Sequence, residues 1–101
     1  MAIELPDDLV EQQRAADQEH VKLLQLQERF TYPEGAETAA PARDWTEEQR
    51  AAWGAQWKRW ADLLPGLHAA VTAHAKASSQ SRYEVEMALK KRVRHPELEA
   101  A

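Results

Sequence analysis

Histidine and carboxylate side chains are the residues of this sequence best suited to chemistry, because it contains no cysteine. The four histidines are His20, His68, His74 and His95. Helical zinc sites often use two histidines four residues apart, and no such pair occurs here. His68 and His74 are six residues apart, which places them on different faces of a straight helix. His20 and His74 could approach each other across a helical hairpin. The sequence predicts no metal site and no cofactor.

Other catalytic patterns are also missing from the sequence. There is no G-x-S-x-G nucleophile turn, and the three glycines, at positions 35, 54 and 66, form no phosphate-binding loop. The carboxylate pairs Asp7–Asp8 and Glu47–Glu48 stand at predicted helix starts, where the helix dipole favours them. The Glu-x-x-His spacing of di-iron bundles does not occur. We therefore expect a protein that is not an enzyme.

The composition favours an all-α fold, since good helix formers are abundant and no segment alternates apolar and polar residues. The first helix is predicted over residues 6–31. Pro6 favours its start, and Pro33 favours its end because a residue that precedes proline, here Tyr32, rarely adopts helical geometry. Leu9, Leu23 and Phe30 lie on its apolar heptad line. Residues 32–43 are predicted to be a mobile linker, because they contain two prolines and a glycine.

The second helix is predicted over residues 46–77, bent at Pro65–Gly66. Its start has capping-box spacing at Asp44 with Glu47 or at Thr46 with Gln49. The apolar phase continues through Pro65, which favours one bent helix over two separate helices. A third helix is predicted over residues 82–95, beginning with the Ser81–Glu84 capping box, and residues 96–101 form a frayed tail.

The helix lengths predict how the chain packs within a single domain, residues 1–101. Two long helices of about 39 and 48 Å and one short helix favour an antiparallel hairpin with the short helix beside it. Such a hairpin leaves apolar surface that a second copy would cover, giving a dimeric helix bundle. The predicted core or interface residues are Leu9, Leu23, Phe30, Trp53, Trp57, Trp60, Leu64 and Val71. Trp45, which precedes the cap, is interpreted as a staple or an exposed anchor.

The third helix carries a basic run on an otherwise acidic chain. The net charge is −4, which disfavours a nucleic-acid partner, but residues 82–95 hold five basic and two acidic side chains. Residues 73–95 have the outline of a helix-turn-helix, with Ser79 at the turn position usually held by glycine. Arg82, Lys90, Lys91 and Arg94 are the candidate nucleic-acid contacts. The alternative is that this basic helix docks on the acidic body of the chain.

Two segments resemble those of small helical proteins of actinomycetes, a group with no assigned activity. They are LPDDLVEQQRAADQEH near the start and SRYEVEMALKK near the end. The resemblance implies a bacterial cytoplasmic setting and nothing about mechanism. No apolar run is long enough to span a membrane, and the first residues lack the pattern of a secretory signal.

Three hypotheses for function follow from the sequence. The first is a non-enzymatic helical protein–protein interaction module that forms a homodimer. The second is a small DNA-binding regulator that uses residues 73–95. The third is an adaptor for a different protein partner, whose linker lets the first helix move.

Overall fold

The structure is a computed structural model that describes residues 4–94. Within these residues it contains three α-helices, α1 (Asp7–Thr31), α2 (Glu47–Ala77) and α3 (Arg82–Arg94). A short 3₁₀ turn, Ala42–Asp44, precedes α2, and the described residues include no β-strand. The all-α class is confirmed. The predicted end of the third helix at His95 and the tail 96–101 lie outside the described residues.

The start of α1 follows from the proline that precedes it. The carbonyl oxygen of Pro6 accepts hydrogen bonds from the N–H groups of Leu9 and Val10, each at 3.1 Å. Pro6 therefore occupies the capping position, and α1 begins one residue later than the sequence indicates. Asp7 and Asp8 lie in the first turn, where their charges face the positive end of the helix dipole.

A capping box at Thr46 and Gln49 begins α2. The Gln49 N–H donates to Thr46 Oγ1 at 3.0 Å, and the Thr46 N–H donates to Gln49 Oε1 at 2.9 Å. This is one of the two boxes that the spacing allows, while Asp44 belongs to the preceding 3₁₀ turn. The helix then continues through Pro65 without interruption, so the alternative of two separate helices is wrong.

The turn between α2 and α3 combines a helix C-cap with a new capping box. Ser79 has a left-handed backbone with φ of 56°. The Gln80 N–H donates to the Ala75 carbonyl at 2.9 Å, as in a Schellman motif. Ser81 Oγ then accepts the Glu84 N–H at 3.0 Å, which confirms the predicted start of the third helix.

Replacing Ser79 with glycine is expected to raise the free energy of unfolding by about 0.5–1 kcal/mol, because glycine adopts positive φ without the steric cost of a Cβ. Urea unfolding followed by circular dichroism measures the change. Ser78→Gly is the matched control: it removes a hydroxyl that donates to the His74 carbonyl at 2.7 Å, so it should be destabilising. Equal effects of the two substitutions would contradict the assignment of strain to Ser79.

The chain groups into two compact units, although the sequence predicts one domain. The first, called here the three-helix unit, comprises the described residues up to Ala16 together with those from Leu63 to Arg94. The second, called the tryptophan unit, is Asp17–Asp62 and contains all four tryptophans.

The continuous apolar core belongs to the three-helix unit. Val85 and Leu89 of α3 are completely buried, and Val71 of α2 is 2% exposed. All three helices contribute to this core, whose members are Leu5, Leu9, Val10, Ala16, Leu67, Val71, Ala75, Val85 and Leu89. The four-residue spacing of Val85 with Leu89, and of Leu67 with Val71 and Ala75, places each set on one helix face.

Candidate interaction surface

Aromatic rings form a cluster around Trp45 in the tryptophan unit. The Trp45 ring centroid lies 5.4 Å from that of Phe30, in an edge-on arrangement, and 6.5 Å from that of Trp53. Trp45 directly precedes the capping residue Thr46, so the turn that begins α2 also sets the direction of its ring. With 9% of its surface exposed, Trp45 is buried. The interpretation of Trp45 as an exposed anchor is therefore wrong.

Two indole N–H groups of this cluster have no acceptor among the residues that the structure describes. The Nε1 atoms of Trp45 and Trp53 are buried, and neither has a hydrogen-bond partner in residues 4–94. A buried donor left unpaired costs about 1–3 kcal/mol relative to a paired one. The cluster thus gains stability from its apolar contacts while keeping two polar groups unsatisfied.

An open cavity of about 500 Å³ adjoins the aromatic cluster. Its lining is mainly apolar and comes from the end of α1, the linker and the first turns of α2: Gln27, Thr31, Pro41, Ala42, Trp45, Arg50 and Trp53. The linker returns to α1 through the Ala40 N–H, which donates to the Thr31 carbonyl at 2.6 Å. Arg50 Nη2 donates to the Arg43 carbonyl at 2.6 Å. These two bonds hold the linker side of the cavity.

A polar contact joins α1 and α2 within the same unit. Gln56 is buried, with 7% exposed, and its Nε2 donates to the Glu19 carbonyl at 2.9 Å and to the Glu19 carboxylate. The hydrogen bond from the Gln56 side chain to the Glu19 carboxylate is the main cause that lowers the pKa of Glu19 below its ordinary value, and the hydrogen bond from Lys22 is the second. The neighbouring rings of His20 and Trp60 lie 4.7 Å apart.

Glu19 is expected to make stability depend on pH in the acidic range. Its lowered pKa means that the carboxylate stabilises the fold fully above the ordinary value of about 4.5. This contribution is lost as the pH falls through the lower pKa of the folded state. Urea unfolding of the wild type and of Glu19→Gln, measured from pH 7 to pH 3, tests this expectation. The difference between their free energies of unfolding should become smaller as the pH falls.

Gln56→Leu provides the control for this pH dependence, because the hydrogen bond from Gln56 is the largest cause of the lowered pKa. When Gln56 is already replaced by leucine, Glu19→Gln should change the pH dependence of the free energy of unfolding much less than it does in the wild type. If the free energies of unfolding of the wild type and Glu19→Gln differ by the same amount over the whole pH range, the Glu19 carboxylate is not the source of the pH dependence.

Three large apolar side chains of the tryptophan unit are exposed, and they are called here the apolar strip. Val21, Leu24 and Trp57 are 50%, 48% and 46% exposed. Leu24 follows His20 by four residues and Trp57 precedes Trp60 by three. Since the rings of His20 and Trp60 face each other, Leu24 and Trp57 extend along the same side of the helix pair. Val21 lies about one turn before Leu24 in α1.

The predicted core or interface residues fall into three groups by exposure. Leu9, Leu23 and Val71 are buried. Phe30, Trp53, Trp60 and Leu64 are half-buried, whereas Trp57 is exposed. Leu9, Leu64 and Val71 belong to the three-helix unit, and the other five belong to the tryptophan unit.

Gln56 is the residue of this site that sequence reasoning missed, whereas for Trp45 the sequence left two interpretations open, a staple and an exposed anchor. The signal for Trp45 was its position immediately before the Thr46–Gln49 capping box. Gln56 carried no such signal, because a buried glutamine depends on an acceptor supplied by another helix. Here that acceptor is Glu19 of α1.

The candidate nucleic-acid contacts lie along α3. Arg82 Nε donates to Glu86 Oε1 at 3.0 Å, so its guanidinium is engaged within its own helix. Lys90, Lys91 and Arg94 are exposed. Tyr83 and Met87 are also exposed, at 70% and 49%. The spacing of Tyr83, Met87, Lys90 and Arg94 places these four on one helix face.

The histidines take separate places in the chain. His20 contacts Trp60, whereas His74 Nε2 lies 3.0 Å from the Glu4 carbonyl oxygen, and His95 lies outside the described residues. The two histidines that might have met, His20 and His74, thus have different partners. Within residues 4–94, no group of three or more histidine and carboxylate side chains is arranged to bind a metal ion.

No protein-family model, no curated protein and no solved structure matches this chain. In the part of the chain that the structure describes, no helix combines the length and the apolar character needed to cross a membrane.

Proposed function

We propose that this chain is a non-enzymatic helical protein–protein interaction module that self-associates as a homodimer. The observation that carries the proposal is the apolar strip, in which Trp57, Leu24 and Val21 are each about half exposed in one chain. Tryptophan is enriched at the energetic centres of protein interfaces. Burying large apolar side chains contributes about 25 cal/mol per Å², so covering the strip would be favourable.

A second copy is the partner that we propose for the strip. A two-fold axis places the same surface of two copies face to face, so an apolar strip on one chain meets an equally apolar strip on the other. The proposed assembly is an antiparallel helical hairpin in each chain, completed as a dimeric helix bundle in the cytoplasm. Two contacts support the hairpin, because moving back along α1 from Phe30 to Glu19 corresponds to moving forward in the chain from Trp45 to Gln56.

Size-exclusion chromatography with light scattering at two salt concentrations tests the proposal. We expect about 23 kDa, twice the chain mass of 11.5 kDa, at both salt concentrations, because apolar contacts are not screened by salt. A wild-type chain that remains monomeric at about 50 μM, where even a modest interface with micromolar affinity is occupied, would contradict self-association.

Trp57→Ala with a matched control locates the interface. This substitution is expected to shift the chain to monomer while circular dichroism shows that the helices remain. Leu63→Ala removes another exposed apolar side chain of α2, 38% exposed and six residues further on, so it lies on a different side of the helix. Leu63→Ala should leave the dimer intact. Loss of the dimer in both variants, or in neither, would place the interface elsewhere.

A second candidate function, a small DNA-binding regulator, is favoured by the backbone of the α2–α3 turn. Ser79 has positive φ at the position where helix-turn-helix motifs usually carry glycine. Ala75, Val85 and Leu89 are buried around this turn, and exposed Lys90, Lys91 and Arg94 lie on the second helix.

Fluorescence anisotropy with duplex DNA at low and high salt tests this second candidate. A regulator of this kind should bind with an affinity that falls steeply as salt rises. The triple variant Lys90→Gln/Lys91→Gln/Arg94→Gln should then bind much more weakly than a control with Lys22, Lys58 and Arg59 replaced by glutamine. No binding by the wild type at low salt would dismiss DNA as a partner.

A further inference from the structure

We propose that the cavity of the tryptophan unit binds a small aromatic monocarboxylate. This site does not depend on self-association, because Val21, Leu24 and Trp57 do not line the cavity. The cavity volume of about 500 Å³ lies within the range of about 300–1,000 Å³ that is typical of small-molecule sites. Its open side gives a ligand access from solvent.

The charge of the lining selects an anion. Arg50 is the charged residue among the seven that line the cavity, and none of the seven is acidic. No carboxylate of the described residues forms an ion pair with Arg50. A guanidinium has five N–H donors in a planar fork that matches a carboxylate. The bond from Nη2 to the Arg43 carbonyl uses one of these donors and leaves the others for a ligand.

The rings of the lining select an aromatic body. Trp45 and Trp53 contribute indole rings, and Pro41 and Ala42 add apolar surface from the linker. Aromatic ligands pack favourably on such rings in stacked or edge-on arrangements. A ligand of this class would pack its planar ring against the indoles and place its carboxylate at the guanidinium of Arg50.

Neutral hydrogen-bonding groups complete the site. Gln27 and Thr31, at the end of α1, also line the cavity, and they carry an amide and a hydroxyl that can hydrogen-bond a ligand. Among residues 4–94, the indole N–H groups of Trp45 and Trp53 have no acceptor.

Heteronuclear NMR of the full ¹⁵N-labelled chain, titrated with 1-naphthoate, tests the proposal. The four tryptophans give four indole N–H signals, which single Trp→Phe variants assign. We expect saturable shifts of the Trp45 and Trp53 signals and little change at Trp57. Absence of a saturable shift at Trp45 and Trp53 up to about 5 mM ligand, or shifts centred on Trp57, would overturn the proposal.

The charge of the probe and of the protein are then varied in turn. 1-Naphthalenemethanol keeps the ring without the carboxylate, and it should bind about tenfold more weakly than 1-naphthoate because it lacks the charge-assisted hydrogen bonds. Arg50→Gln should weaken 1-naphthoate about tenfold and leave the alcohol unchanged. Equal affinities of the acid and the alcohol for the wild type would overturn the role of Arg50.

Matched variants distinguish binding at Arg50 from a nonspecific effect of the net charge of the protein. Arg59→Gln removes the same charge from an exposed residue of α2 outside the cavity lining, and it should leave 1-naphthoate binding unchanged. Arg50→Lys keeps the charge without the planar fork, and it should bind with an affinity between those of wild type and Arg50→Gln. Equal weakening by Arg59→Gln and Arg50→Gln would show a nonspecific charge effect and overturn the site.

Discussion

Replacing Leu89 with alanine is expected to lower the free energy of unfolding by about 3 kcal/mol, within the usual range of about 2–5 kcal/mol for a buried leucine. Leu89 is completely buried, and it belongs to the core of the three-helix unit with Val85 and Val71. The substitution removes apolar contacts and leaves a cavity that neighbouring side chains fill only in part. Because small domains are stable by only about 5–15 kcal/mol, the loss is a large fraction of the total.

Urea unfolding followed by circular dichroism measures this loss, with Met87→Ala as the control. Met87 lies two residues away on the same helix and is 49% exposed. Its truncation should cost less than about 1 kcal/mol, since it leaves no enclosed cavity. Equal losses in the two variants would contradict the placement of Leu89 in the core and Met87 at the surface.

Trp45→Ala is expected to lower the free energy of unfolding by about 3–5 kcal/mol, the usual cost of truncating a buried aromatic residue. Its ring lies between those of Phe30 and Trp53, so the substitution removes both aromatic contacts. Trp45→Phe keeps a ring and removes the unpaired Nε1 donor, so it should cost clearly less than Trp45→Ala. Equal losses in the two variants would contradict the importance of the ring contacts.

Trp57→Ala distinguishes the contribution of Trp57 to the stability of a single chain from its contribution to association. At 46% exposed, Trp57 should contribute less to the stability of one chain than Trp45 does. Unfolding at low protein concentration measures that contribution, and light scattering measures association. A loss at low concentration as large as that of Trp45→Ala would contradict the exposure of Trp57.

The helices of this chain could be predicted because their signals are local. The Thr46–Gln49 and Ser81–Glu84 capping boxes form as their spacing indicates. A cap needs only residues within one turn of the helix start, so its pattern is visible in a short stretch of sequence. The left-handed backbone at Ser79 was not predicted, because the sequence only placed this residue at a turn between two helices.

Which apolar residues are covered could not be predicted in the same way. Trp53, Trp57 and Trp60 share a helix stripe, yet Trp57 is exposed and the other two are half-buried. Periodicity assigns residues to a face, but the width of the face that a neighbour covers depends on that neighbour. Trp45 shows the converse, because the end of α1 covers a residue that has no place in any stripe.

The sequence by itself determined the all-α class and the placement of the caps. These depend on helix propensity, on apolar periodicity and on side chains that bond backbone groups three residues away. The tertiary structure decided the burial of Trp45, the Gln56–Glu19 contact, the cavity beside Arg50 and the exposure of the apolar strip. Each of these brings together residues distant in sequence, so it exists only when two helices or the linker meet in space.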